Sequence, residues 1–87
     1  MILSAKDAKE LVIRKLEDDL GPDVINQIDL KIRLAILEDK MSVLVPIRPD
    51  VSHDKLKRLY ELLGYSCELL YSQYEYRYNQ MQLGWEN

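Results

Sequence analysis

The sequence has few of the residues on which disulfides, metal sites and phosphate-binding loops depend. Its 87 residues include one cysteine, one histidine and three glycines. A single cysteine cannot form an intrachain disulfide, which excludes a secreted scaffold stabilised by disulfides. One histidine and one cysteine do not suffice for a zinc site within one chain. The glycines Gly21, Gly64 and Gly84 are isolated, so there is no glycine-rich loop of the kind that binds nucleotide phosphates.

Long apolar segments and an excess of positive charge are also missing. No stretch of roughly 18 apolar residues occurs, so the sequence predicts no membrane span. The first residues lack the basic and apolar regions of a signal peptide, and we therefore expect a cytoplasmic protein. The formal net charge is −3, which makes a nucleic-acid partner bound by phosphate neutralisation an unfavourable interpretation. A chain of this length is expected to form a single domain, residues 1–87.

Two helices are predicted in the first half of the chain. Ser4 is placed to cap the first helix, which Gly21-Pro22 ends because proline cannot continue the hydrogen-bond ladder. Asp23 is a fair N-cap for a second helix that runs to about Asp39. This second helix has two apolar faces, whereas an ordinary surface helix needs one. One face comprises Val24, Ile25, Ile28, Ile32, Ala35 and Ile36, and the other comprises Leu30, Leu34, Leu37 and Met41.

The second of these faces, here named the leucine stripe (Leu30, Leu34, Leu37 and Met41), is the sharpest feature of the sequence. In one interpretation it packs within the chain, against the first helix or a sheet. In the other it is an interface with further copies, because small domains often gain stability by forming oligomers. We therefore expect a homo-oligomer, a dimer or larger, as one outcome of this pattern.

The second half of the chain predicts one more helix and a small sheet. Residues 42–47 are continuous and β-branched and are expected to form a strand, which Pro46 either places at a sheet edge or restricts to pairing over part of its length. Ser52 is placed to cap a third helix, which Gly64 ends. Between residues 65 and 85 apolar and polar side chains alternate, which favours a hairpin with a turn or bulge near Asn79-Gln80 or around Ser72-Gln73.

The predicted fold class is α+β, in the order α-α-β-α-β-β. The strand–helix–strand part is expected to form a parallel crossover, to which the hairpin adds an antiparallel strand. The result would be a small three-stranded mixed sheet with helices packed on it. Tyrosines spaced three and four residues apart also fit a helix over 66–83, and the fold would then be mostly α.

The tyrosines near the end of the chain form a second candidate surface. On a strand, Tyr74, Tyr76 and Tyr78 would share one face, with Arg77 on the other. Exposed tyrosines favour protein contacts, and they can also stack on nucleotide bases. Packing within the sheet, a protein contact and a nucleotide or nucleic-acid platform are the three interpretations.

No group of residues has the pattern of a catalytic site. His53 lies beside Ser52 and Asp54, but adjacency at a helix start does not place the three side chains as a triad. Cys67 alternates with apolar neighbours and is expected in the core. The acidic residues 17–19 form a charged helix end without the apolar surroundings that separate the acidities of a catalytic pair. We therefore expect no enzyme, no metal site and no cofactor.

Three short motifs occur in order along the chain: Met1-Ile2 with Ala5-Lys6, then Leu63-Gly64-Tyr65, and finally Leu83-Gly84-Trp85. On these motifs the chain resembles a group of small accessory proteins of tailed phages. The resemblance implies a phage origin and the order helix–helix–strand–helix–hairpin, and it assigns no functional residue.

The function expected from these features is a non-enzymatic protein–protein interaction module, an accessory protein of a phage that acts on a host or phage protein in the host cytoplasm. One alternative is a structural or assembly component that forms a homo-oligomer through the leucine stripe. The other is a small-ligand binder that holds a nucleotide with its tyrosines and arginines.

Overall fold

A computed structural model describes residues 2–86 of the protein. Met1, part of the first motif quoted above, lies outside the described residues. The order α-α-β-α-β-β and the α+β class are confirmed. The elements are α1 (Ala5–Leu20), α2 (Pro22–Leu37), β1 (Ser42–Pro46), α3 (His53–Leu62), β2 (Ser66–Ser72) and β3 (Arg77–Gly84).

The predicted helix ends are confirmed with one correction. The Ser4 hydroxyl accepts a hydrogen bond from the Asp7 backbone N–H at 3.1 Å. Gly21, at φ +91°, ends α1 and is also the N-cap of α2. The prediction of Asp23 as N-cap is wrong because α2 already begins at Pro22, whose missing N–H costs nothing in a first helical turn. The Ser52 hydroxyl caps α3 through the Lys55 N–H at 3.3 Å.

Helix α2 buries one of its two predicted apolar faces. Val24, Ile28, Ile32 and Ala35 are buried, whereas Ile36, predicted on the same face, is half exposed. The helix ends at Leu37, so Met41 lies in the connection to β1 and not on the helix. The members of the leucine stripe are all exposed. The chain therefore leaves this second face uncovered.

The sheet has the strand order β1-β3-β2, and both pairings are antiparallel. The prediction of a mixed sheet is wrong in this respect. Strands β1 and β2 do run in the same direction, as the crossover through α3 implies, but β3 lies between them. The hairpin places β3 in the centre because its side chains Met81 and Leu83, fully buried, need cover from both sides. Pro46 lies on an edge strand, as predicted.

Residues 66–84 form the predicted hairpin and not a helix. The turn comprises residues 73–76, and the pairing changes register between Leu70 and Tyr71. Leu70 pairs with Gln80 and Tyr71 with Tyr78, which leaves Asn79 as an extra residue on β3. This bulge brings Tyr78 onto the same face as Met81, although the two are three residues apart.

The helices cover one face of the sheet. Helix α2 contacts β1, α3 contacts β2 and β3, and α1 contacts both α2 and α3. The covered face contributes side chains such as Val45 and Met81 to the apolar core, which they share with Leu56 and Leu59 of α3. The opposite face is exposed along β1 and β3. The exposed parts of the described residues include the side of the molecule formed by α2 and β1, and the tip of the hairpin.

Candidate interaction surfaces

The structure does not join the neighbours of His53 into a catalytic group. The Ser52 hydroxyl is engaged as the cap of α3. The His53 ring packs on the Tyr78 ring, with 5.0 Å between centroids and a tilt of 47°. Its Nε2 lies 3.4 Å from the Asp54 carboxylate. These contacts tie the start of α3 to β3, which is a packing role.

Cys67 lies on the face of β2 that packs against the core. Burial raises the pKa of its thiol from 9.0 to about 11, with a smaller contribution from the negative charge of Glu61. A thiol with this pKa is almost entirely protonated near neutral pH, and the thiolate is the nucleophilic form. The expectation that Cys67 is a core residue agrees with this position.

The acidic end of α1 connects two helices. The Asp19 carboxylate lies 3.2 Å from Lys55 Nζ on α3 and 3.8 Å from Lys15 Nζ on its own helix. The hydrogen bond from Lys55 lowers the pKa of Asp19, and the charge of Lys15 acts in the same direction. In the part of the chain from residue 2 to residue 86, no three histidine, cysteine, aspartate or glutamate side chains are grouped as metal ligands. None of the described helices is long and apolar enough to cross a membrane.

The helical part of the leucine stripe comprises three leucines on one side of α2. Leu34 is 51% exposed and Leu37 80% exposed, and Leu30 is exposed to a similar extent as Leu34. A helical side chain that stands this far in water gains little from its own fold. Met41 is exposed separately, in a depression on the open sheet face that is also lined by Ser42, Ser66 and Gly84. The stripe is thus divided between two places.

Leu34 lies in a groove between α2 and β1, here named the α2–β1 groove. The groove has a volume of about 520 Å³ and is shallow and open to solvent. Lys31 of α2 and Glu38, the C-cap residue seven positions later, line it together with Leu44 of β1. Leu44 was missing from the predicted interface. Its position in the sequence could have shown it, because Val43 and Val45 alternate with it and face the core.

The free edge of β1 adjoins this groove. Ile47 N–H donates to the Asn79 carbonyl at 2.8 Å, and Trp85 N–H donates to the Met41 carbonyl at 3.0 Å. Hydrogen bonds of an antiparallel strand alternate in direction along the chain. The backbone groups of Ser42, Leu44 and Pro46 therefore face away from β3, where the missing N–H of Pro46 removes no bond from the sheet.

The tip of the hairpin differs from the predicted tyrosine surface. Tyr74 and Tyr76 lie in the turn, so the prediction that they share a strand face with Tyr78 is wrong. Alternate residues share a face only within one strand, and here the chain turns between Tyr74 and Tyr78. Tyr78 instead packs edge-on against Tyr71 across the hairpin, with ring centroids 5.3 Å apart. We name Tyr74 and Tyr76, which are 96% and 83% exposed, the tyrosine tip.

Arg77 connects the hairpin turn to the backbone after β1 and to Glu75. Its guanidinium donates to the carbonyl of Ile47 at 2.8 Å and to that of Tyr78 at 3.3 Å. It also forms an ion pair with the Glu75 carboxylate at 2.7 Å. The Ser72 hydroxyl accepts a hydrogen bond from the Glu75 N–H at 3.1 Å. These contacts order the turn, and they occupy the arginine that was predicted to belong to the partner or ligand surface.

Comparison with known proteins finds no matching family, no matching curated protein and no matching solved structure.

Proposed function

We propose that this chain is a non-enzymatic protein–protein interaction module that binds its partner through the tyrosine tip. The proposal is carried by the near-complete exposure of Tyr74 and Tyr76 on one turn. Tyrosine offers a large and rigid contact area with few rotatable bonds, and it is enriched at protein interfaces. Two such rings in water at the end of a hairpin suit a partner that covers them.

The order of the turn supports the same proposal. The Glu75–Arg77 ion pair and the bond from Arg77 to Ile47 connect the turn to the end of β1. Tyr76 has φ +55°, a left-handed conformation that is uncommon for residues other than glycine. A turn already fixed in one conformation loses less entropy when a partner binds.

The partner we propose is a protein of the host cell or of a tailed phage, met in the host cytoplasm. The support for a phage accessory protein is the resemblance carried by the three motifs at the start, middle and end of the chain. The net charge of −3 favours a protein partner over nucleic acid, because it offers little to neutralise phosphates.

The experiment replaces both rings without weakening the fold. The variant Tyr74→Ala with Tyr76→Gly removes the contact area, and glycine accepts the positive φ at residue 76 without strain. We expect its unfolding free energy to equal or exceed that of the wild type by up to about 1 kcal/mol. Immobilised wild type, this variant and the control Leu11→Ala are compared for the proteins that they retain from host lysate.

A protein retained by the wild type and the control, but lost with the tip variant, would support the proposal. Direct binding of that purified protein, measured by calorimetry, should then weaken by at least tenfold in the tip variant. Equal binding to all three chains would contradict it.

Nucleotide binding at the tip is the weaker candidate because Arg77 already holds two carbonyls and a carboxylate. A nucleotide at 100 times its dissociation constant would stabilise the fold by about 2.7 kcal/mol. We expect no rise in Tm with any nucleotide of a standard panel, and a clear rise would favour the ligand-binding function instead.

A further inference from the structure

We infer that the side of the molecule formed by α2 and β1 binds a second copy of this chain, with the two β1 strands paired antiparallel and the two α2 helices packed beside them. The inference does not depend on the tyrosine tip. It is carried by the free edge of β1, the exposed leucines of α2 and the placement of charges around the α2–β1 groove.

The two edges of the sheet differ in how they are protected. Strand β2 carries one charged side chain, Glu68, which is exposed. Charged side chains are a common means of keeping a sheet edge from pairing. Strand β1, Ser42–Pro46, carries no charged side chain of its own, although Lys31 and Glu38 line the adjoining groove. Of the two edge strands, β1 is therefore the one without a charge on the strand to oppose pairing.

The outward groups of β1 fit a second β1 in one register. With Leu44 opposite Leu44 of the second copy, each leucine N–H faces the other leucine carbonyl. In the same register, each Ser42 N–H faces the Pro46 carbonyl of the other copy and can donate to it. Pro46 has no N–H to return, so the Ser42 carbonyl opposite it is left to water and the pairing ends there.

The charges on α2 are self-complementary in the same arrangement. Lys31 and Glu38 are seven residues apart and line the same groove, so they lie on one flank of the helix. When two helices pack antiparallel, the same flank of each meets, which places Lys31 of one copy against Glu38 of the other, twice per dimer. Lys40 of the same chain binds the Glu38 carboxylate at 2.7 Å and lowers its pKa, so Lys31 of the second copy would share this carboxylate with Lys40.

A single two-fold axis can relate both the two β1 strands and the two α2 helices. Leu34 lies about midway between Lys31 and Glu38 along α2, and it lines the groove together with Leu44. An axis that passes beside both leucines therefore relates the strands and the helices at once. Leu34 and Leu44 would then each be covered by their counterparts, which explains why the chain keeps these two apolar side chains at positions that its own fold leaves in water.

The test measures particle mass by sedimentation equilibrium over a range of concentrations. We expect the wild type to approach twice the 10.3 kDa of one chain. Lys31→Glu places two glutamates against each other and should raise the dissociation constant roughly tenfold or more, as should Glu38→Lys. The double variant Lys31→Glu with Glu38→Lys restores opposite charges and should recover most of the affinity. Leu34→Glu places a charge beside the two-fold axis and should give a monomer, whereas its matched control Leu11→Glu, at an equally exposed leucine on α1, should leave the mass unchanged.

A second variant tests the strand contact. Leu44→Pro removes an outward N–H but no bond to β3, so circular dichroism should show a folded chain and sedimentation a monomer. A wild type that stays monomeric at about 100 µM would overturn the inference, as would a dimer that the charge reversals leave intact. Neither result would bear on partner binding at the tip, since that is measured with Tyr74→Ala and Tyr76→Gly.

Discussion

The clearest test of the fold compares alanine substitutions on the two faces of α2. Ile32 is buried in the core, whereas Leu34 is half exposed and Leu37 is 80% exposed on the other side of the same helix. All three changes introduce the best helix former at an interior or last-turn position, so differences in helix propensity stay within a few tenths of a kcal/mol. Any larger difference in unfolding free energy among the three variants therefore reports how deeply each side chain is buried.

The magnitudes follow from the exposed fractions. Loss of a buried isoleucine side chain costs about 2–5 kcal/mol, which includes the cavity that it leaves. Complete burial of a leucine side chain is worth about 2 kcal/mol, so a half-exposed Leu34 accounts for about 1 kcal/mol and Leu37 for less than about 0.5 kcal/mol. A domain of this size has a total stability of about 4–13 kcal/mol, so Ile32→Ala should remove a large share of it.

The assay is urea unfolding, followed by circular dichroism and by the fluorescence of Trp85, the single tryptophan. At about 1 µM protein, where association contributes least, Ile32→Ala should lower the midpoint strongly and Leu37→Ala hardly at all. At a hundredfold higher concentration, the cost of Leu34→Ala should grow if a second copy covers it. Equal costs for all three variants at low concentration would refute the reasoning, because the leucine stripe would then be part of the core.

Two further predictions concern single side chains. The pKa of Cys67, raised from 9.0 to about 11, reduces its thiolate fraction at pH 8 about a hundredfold, and the greater nucleophilicity of a more basic thiolate offsets part of this. Cys67 should therefore react with a disulfide reagent at least about tenfold more slowly than the unfolded chain, and a fast reaction would indicate an activated cysteine. The lowered pKa of Asp19 stabilises the fold above the unfolded pKa near 3.8, and this contribution is lost as the pH falls through the folded pKa. Asp19→Asn should therefore lower Tm at pH 7. The difference in Tm from the wild type should shrink towards pH 3 and in high salt. A difference that stays constant would mean that the ion pair with Lys55 does not stabilise the fold.

Local signals in the sequence were sufficient for the helices. Ser4 and Ser52 have hydroxyls that accept the N–H bonds of a first turn, and Gly21 and Gly64 adopt the positive φ that ends a helix. The two faces of α2 could also be recognised, because periodicity reports which side chains point together without knowledge of what covers them. The exposure of the second face depends on tertiary contacts and had to come from the structure.

The partner of β1 was not predictable from neighbouring segments. A strand–helix–strand order suggests that β1 lies beside β2, and the hairpin alone does not show which of its strands is central. The outcome depends on burial across the whole sheet, where Met81 and Leu83 of β3 are covered on both sides. The bulge at Asn79 is a similar case. The change in alternation between Tyr78 and Met81 predicted an irregularity in the hairpin. It did not predict that the turn would place Tyr76 outside the strand that contains Tyr78.

The two proposed surfaces together predict how many partner molecules a dimer binds. Pro46 pairs with Gln80 in the half of β3 that leads from the turn, so the tyrosine tip extends beyond the Pro46 end of β1. Antiparallel pairing of two β1 strands places those ends, and hence the two tips, at opposite sides of the dimer. A compact partner cannot contact both, and titration calorimetry should therefore give one partner per chain. Leu34→Glu should leave the affinity for a soluble partner unchanged but weaken binding to a dense array of it, since two linked sites gain about 10²–10⁴-fold in avidity. One partner per two chains would show that the tips lie on the same side, and the antiparallel arrangement would then be wrong.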